Sequence, residues 1–255
     1  MSTTTSQLRL IQNMIVGKDP SLRKILLTTT LLASDLLSTK EALVEIVDEG
    51  TSIGLAPGYD ARGKLAALAI ATSRGVMIVE FDYPRFARDG KPPPGPIPNK
   101  REQEEGCKLL EELVLCRGMG GLFAFDMGPL ALSLFTDLSM RIVGAVDIQS
   151  AFPPPPGPRA PDRFSPLEVV QQAVGESGEI KVHVTNITPL FNRPAYDRTN
   201  LAEARRRAQD IALTAWLAYF LATYQNGSAG EFDKVKRVDT KKMSLPVRPL
   251  VLTRL

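Results

Sequence analysis

The chain has 255 residues, 44% of them hydrophobic and 23% charged, the make-up of one ordinary globule able to bury a single good core. A net charge of +3, from 31 basic and 28 acidic residues, excludes a dominating polycationic surface but leaves room for local basic patches. Two cysteines, Cys107 and Cys116, are too few for a disulfide framework or a structural zinc site and fit a reduced intracellular compartment, nuclear or cytoplasmic. No apolar run reaches membrane-spanning length and no hydrophobic signal segment opens the chain, so no membrane partner is expected.

Residues 5 to 38 carry Leu8, Ile11, Met14 and Ile15, then Leu22, Ile25 and Leu26, around a Gly-Lys-Asp-Pro break. The spacing predicts two short amphipathic helices, a helical extension over 1–38. The basic, Ser- and Thr-rich character of this stretch also has a trace of a transit peptide, although a docking helix explains it more simply. Thr39 then reads as the N-cap of a helix with Leu43, Ile46 and Val47 inward. Three strands follow over Thr51 to Leu55, Lys64 to Ala71 and Gly75 to Phe81. Pro57-Gly58 and Ser73-Arg74-Gly75 separate them, and unbroken apolar runs such as AALAIA predict burial on both faces.

Between Tyr83 and Arg101 lies a basic, proline-rich surface segment containing Arg85, Arg88 and Lys91. It is either an irregular connector or a basic lip over a nucleic-acid groove. A helix over Glu102 to Cys116 leads to the centre of the chain, Leu122 to Ala151. There a strand (Leu122 to Asp126), a helix (Pro129 to Asp137) and a strand (Arg141 to Asp147) form a βαβ unit, which makes part of the sheet parallel. A second proline segment, Phe152 to Pro166, offers a possible docking motif for protein partners. Ser165-Pro-Leu-Glu has capping-box spacing, and the last long helix spans Leu201 to Tyr224. From Lys234 onward a basic tail is expected to be a mobile arm. The only histidine, His183, sits in a strand-like VHV and reads as structural.

Phe125, Asp126, Leu134, Gly144, Asp147 and Gln149 follow the order FDxRxDxxAL…GxDxQ. Thr39-Lys-Glu-Ala-Leu and Val-Met-Ile-Val-Glu-Phe-Asp precede them, and Phe191-Asn-Arg-Pro-Ala and Asp210 follow. Over about residues 39 to 226 the chain therefore resembles the RNase D-like 3′–5′ exonuclease domain, in particular that of fungal proteins. The resemblance implies an α/β, ribonuclease H-like mixed sheet, its first three strands antiparallel and its later strands parallel, flanked by helices. It also implies two-metal phosphodiester hydrolysis, in which four carboxylates hold two magnesium or manganese ions and a tyrosine or histidine orients the attacking water.

Carried over one at a time, those positions dismantle the metal site. The first-strand Asp-x-Glu falls on Ala56 and Gly58, the second aspartate on Leu130, and the tyrosine on Arg206. Asp210 alone matches, with Asp126 a possible second acid. Glu80 and Asp82 end the third strand, but two strands from the first they lie about 10 Å away. Asp60 reads as a turn residue. Arg205, Arg206 and Arg207 are a solvated helix face, or else Arg206 pairs with Asp210 or binds phosphate together with Arg85, Arg88 and Lys91. The expected function is a catalytically degenerate exonuclease-fold protein that needs no cofactor and binds single-stranded RNA or DNA or serves as a scaffold. The alternatives are an active exonuclease with a rearranged metal set, and a protein-interaction scaffold that ignores nucleic acid.

Overall fold

The computed structural model describes residues 4–8, 15–17, 26–47, 50–81, 100–118, 120–152, 154, 162–174, 180–192, 195–196, 201–224, 232–241 and 243. Strands β1 (Thr4–Leu8), β2 (Ile15–Gly17) and β3 (Leu26–Leu32) come first, followed by helix α1 (Lys40–Ile46). Next is the meander β4 (Ile53–Tyr59), β5 (Leu65–Ala71) and β6 (Val76–Glu80). Helix α2 (Lys100–Leu110) leads to β7 (Leu122–Ala124), α3 (Met127–Leu138) and β8 (Ala145–Asp147). Helix α4 (Pro166–Val174), strand β9 (Ile180–Val182), α5 (Val184–Phe191) and α6 (Leu201–Thr223) complete the order.

One seven-stranded sheet runs β1-β3-β6-β5-β4-β7-β8. Its last five strands stand in the order third, second, first, fourth, fifth. The meander is antiparallel and β4, β7 and β8 are parallel, which is the ribonuclease H-like mixed sheet the resemblance implies. The expected βαβ unit is present as β7, α3 and β8. Asp126 (φ 53°) and Ser139 (φ 57°) both adopt the left-handed conformation, at the start and end of α3.

Residues 5 to 38 depart from expectation. Their described parts up to Leu32 are strands where two amphipathic helices were predicted, with only a short 3-10 helix at Ala33–Asp35: β1 pairs antiparallel with β3, β3 pairs parallel with β6, and β2 pairs with β9 in a separate ribbon. The reason lies in composition. Leu26–Leu32 reads LLTTTLL, and threonine is stiff at χ1 and prefers a pleated surface, so sheet pairing outweighs a loose helical spacing. The tail also departs from the expected mobile arm. Val238 exchanges backbone hydrogen bonds with Ala145 (2.7 and 3.1 Å), and the buried Thr240 accepts from the Ile142 N–H at 2.9 Å.

The third departure is at Pro57-Gly58, read as a turn but lying inside β4. Ile53 N–H donates to Gly121 on the β7 side, so residues of the same parity, Pro57 among them, turn their backbone polar groups to that edge. The β7 pairing covers only Ile53 and Gly54, leaving Pro57 on an open edge where its missing N–H costs no ladder bond.

Side-chain alternation sorts the core into two layers. On one face Leu55, Leu65, Leu68, Ile70, Met77 and Val79 pack with Leu110, Leu130 and Leu134 of α2 and α3. On the other, Ala56, Ala67, Ala69, Ala71 and Ile78 lie beneath Ala212, Ala215, Trp216 and Ala218 of α6. Alanine on the second face lets α6 approach the sheet closely. Ser165 and Glu168 form the expected capping box at α4, the Ser165 N–H donating to Glu168 Oε2 at 2.7 Å.

Candidate functional site

Strand β4 turns Gly54, Ala56 and Gly58 toward α6. A Cβ added at Gly54 would run into the Ala215 carbonyl and the Tyr219 N–H, so helix backbone rests directly on strand backbone there. At Gly58 an added Cβ would meet Tyr196 Cδ2 at 3.1 Å, Ala67 Cβ at 3.3 Å and Ile211 Cδ1 at 3.4 Å. Ala56 is 1% exposed. These are the two positions at which the resemblance calls for a carboxylate pair, and here they form a packed seam between strand and helix.

Tyr196 closes the end of this seam. Its N–H donates to the Tyr59 carbonyl at 2.6 Å on the open edge of β4, and its hydroxyl donates to the Glu80 carboxylate. Glu80 is thereby engaged by Tyr196 at the end of the third strand of the meander. Asp60 holds the tight β4–β5 turn, accepting from the N–H groups of Arg62 (2.8 Å) and Lys64 (2.9 Å), with Gly63 at φ 76°. Asp60 is thus the turn residue its position suggests.

Beyond the seam opens a cleft of about 530 Å³. Pro129, Leu132 and Ser133 of α3 form one wall, Pro189 and Leu190 of α5 another, and Gly58, Tyr59, Asp210 and Ile211 the floor. Leu132 is 54% exposed at its mouth. Arg207 supplies the charge, donating to Asp210 Oδ2 at 3.1 Å and to Glu203 Oε1 at 2.7 Å. Burial pushes the Asp210 carboxyl above its ordinary pKa, and the Arg207 charge, the Arg207 hydrogen bond and the Arg206 charge pull back against it. The Arg207 Nε is buried without a hydrogen-bond partner, a cost of holding the guanidinium in this apolar setting.

The predicted residues divide accordingly. Asp210 and Gly58 line the cleft, and Ala56 does not, being buried in the seam. Leu130 faces the opposite core and is fully buried. Arg206 is exposed and does not line the cleft; the ion pair with Asp210, one of the alternatives read for it, is made by Arg207, one position on. Arg85, Arg88, Lys91 and Asp82 lie outside the described residues. His183 is exposed at the start of α5 and lies off the cleft.

Asp126 belongs to a second cluster, at the ends of β7 and β8. Arg163 reaches Asp126 Oδ1 at 3.2 Å and Gln149 Oε1 at 3.0 Å, and also pairs with Asp147. Gln149 accepts from the Asp126 N–H at 3.2 Å and donates to the Phe164 carbonyl at 2.8 Å. Burial raises the Asp147 carboxyl above its usual value, while Arg163 opposes that shift. The cluster ties the end of the second proline segment to the sheet. Among the described residues no three His, Cys, Asp or Glu side chains come together in a way that would hold a metal ion, and no helix is long and apolar enough to cross a membrane.

Sequence reasoning missed Tyr196, Arg207 and Arg163. Arg207 had a local signal, since Glu203 four residues before it and Asp210 three after it share one helix face. Tyr196 and Arg163 had none, because their side-chain partners are 116 and at least 14 residues away.

No family model matches this chain, and no curated protein matches it. Among solved structures it is similar to those of Trypanosoma brucei RNase D. One matches at 16% identity and a TM-score of 0.44, covering 78% of this chain and 66% of the other. The same enzyme with GMP matches at 15% identity and 0.47, covering 78% and 57%. Its complex with RNA U12 matches at 15% and 0.42, covering 78% and 64%. This chain thus spans less than two thirds of the length of those proteins.

Proposed function

We propose that this protein is a 3′–5′ exonuclease-fold module that no longer hydrolyses and instead holds the end of a single-stranded nucleic acid in the cleft beside β4. The observation that carries the reading is the seam itself. Two-metal hydrolysis needs clustered carboxylates at the head of the site. Gly54, Ala56 and Gly58 give up that space to α6 and Tyr196, and the one matched acid, Asp210, is neutralised by Arg207.

What the cleft retains favours binding. Its apolar lining of Pro129, Leu132, Pro189, Leu190 and Ile211 suits the flat, apolar face of a nucleobase. Exposed Arg62, in the turn beside it, and exposed Arg205 and Arg206, next to Arg207, provide cations for the flanking phosphates.

The test is a time course with 5′-labelled single-stranded RNA and DNA, with magnesium or manganese. Gel retardation that weakens with salt and with Leu132→Glu, without shortening of the strand, is the expected result. Shortening that Asp210→Asn abolishes would overturn the reading in favour of a rebuilt metal site. Neither shortening nor retardation would overturn it in favour of a protein-interaction scaffold.

A further inference from the structure

A second cleft, of about 450 Å³, opens at the other end of α6. Ala222 lines it, twelve residues on from Asp210 and hence about 18 Å along the helix from the first cleft. Two features define its chemistry. The first is aromatic: Phe123 and Phe232 line it as an edge-to-face pair, with ring centres 5.3 Å apart, and Phe152 abuts Phe232 at 5.9 Å. The second is cationic: Lys234 and Arg237 line it against a single acid, Asp233.

Arg237 donates to the Gly144 carbonyl at 3.2 Å, which holds its guanidinium at the mouth. Behind the wall, Arg117 packs against Gly120 and donates to the Thr51 carbonyl, adding further positive potential from a half-buried position. Gly120 and Gly121 bring bare backbone to the rim. Gly120 needs glycine for its φ of 79°, and a Cβ on Gly121 would displace the Phe123 ring.

An apolar aromatic floor with cations on one side is complementary to a flat ring that carries a phosphate, and the volume lies within the range of small-molecule sites. We infer that this cleft binds a phosphorylated aromatic molecule the size of a nucleoside monophosphate, its ring against Phe123 and Phe232 and its phosphate at Arg237 and Lys234. The site is independent of the first cleft. Its ligand is either a free mononucleotide or the 5′-phosphorylated end of a strand.

Adenosine monophosphate is the probe, titrated calorimetrically into the full chain. Binding at least tenfold tighter than that of adenosine is expected, weakened tenfold or more by Lys234→Glu and by Arg237→Glu and unchanged by Leu132→Glu in the first cleft. Lys234→Glu is read alongside Arg237→Glu because the Arg237 bond to Gly144 also holds the tail, and thermal melting of each variant shows that the fold is intact. Absence of binding at about 1 mM nucleotide, an affinity near −4 kcal/mol, overturns the inference. So does binding that Leu132→Glu abolishes and Lys234→Glu leaves intact, since the nucleotide would then occupy the first cleft. Displacement of the nucleotide by a 5′-phosphorylated oligonucleotide, but not by its 5′-hydroxyl counterpart, assigns the site to strand ends. No displacement by either assigns it to the free nucleotide.

Discussion

Replacing Gly54 by alanine tests the contact on which the non-hydrolytic reading rests. The added methyl would lie 2.9 Å from Tyr219 Cβ and closer still to the Ala215 carbonyl and the Tyr219 N–H. The tightest contact sets the requirement: the Ala215 carbonyl oxygen lies 2.0 Å from the added methyl, and carbon–oxygen contacts sit at about 3.3–3.6 Å, so α6 has to retreat by roughly 1.3–1.6 Å. Two of the three obstacles are helix backbone, which cannot rotate aside as a flexible side chain would. The retreat also loosens Ala212, Ala215, Trp216 and Ala218 from the sheet. Overpacking against so rigid a neighbour belongs at the upper end of the usual range, about 3 kcal/mol. For a chain of this size that lowers the melting temperature by roughly 6–12 °C. Gly128→Ala is the control: nothing lies within 4 Å of its added Cβ, and the position is in the first turn of α3. It should be neutral or stabilise by up to about 1 kcal/mol. Thermal and urea denaturation of the two variants decide the matter. Were Gly54→Ala to melt within about 1 °C of the parent, the seam would be loose enough to admit larger side chains, and the packing argument against a metal site would fail.

Three further outcomes follow from particular bonds. Tyr196→Phe removes a hydroxyl donated to a carboxylate and should cost about 1–2 kcal/mol by urea denaturation; an unchanged midpoint would show that the Glu80 contact contributes nothing. Asp147 has a folded-state pKa above its ordinary value, so the folded chain binds its proton more tightly than the unfolded chain. Ionisation is thus a penalty at neutral pH, relieved as pH falls through the folded value and gone below the unfolded one. The melting temperature of the parent relative to Asp147→Asn should therefore rise from pH 7 toward pH 4, and a constant difference would contradict the assignment. Thr240→Val leaves the buried Ile142 N–H without its 2.9 Å acceptor, at a cost of about 1–2 kcal/mol, and should speed proteolysis between residues 232 and 243; unaltered cleavage would mean that other contacts hold the tail.

The meander and the βαβ unit were legible because each is a short apolar run bounded by turn residues, with partners close by in sequence. Sheet pairing over long separations was not. Leu26–Leu32 finds its parallel neighbour in Val76–Glu80, and nothing local in LLTTTLL announces that partner, although its threonines argued for a strand over a helix. Pro57-Gly58 misled because a proline reads as a breaker unless the edge it faces is known to be open. The seam was legible only through the resemblance, which puts a carboxylate pair where Ala56 and Gly58 stand. What packs against them, Tyr196 and the helix α6, required the tertiary structure. The shift from Arg206 to Arg207 is one step of helix phase, about 100°; Glu203 and Asp210 mark the face of Arg207, but three consecutive arginines blur which of them shares it.

The pairing of β3 with β6 has a consequence for anyone who shortens this chain. Val76–Glu80 is flanked on one side by β5 and on the other by β3, and its first four residues, Val76, Met77, Ile78 and Val79, are all fully buried. A fragment starting at the α1 helix would keep the meander, both clefts and nearly all of the hydrophobic core. It would also turn an interior strand into a border, five residues of high β-propensity with a single charge at the far end and a row of unmet N–H and C=O groups. Such a border is a template for other copies of itself. The N-terminal strands therefore act as a sheath for the sheet: their loss would show first in solubility, before melting or binding was affected.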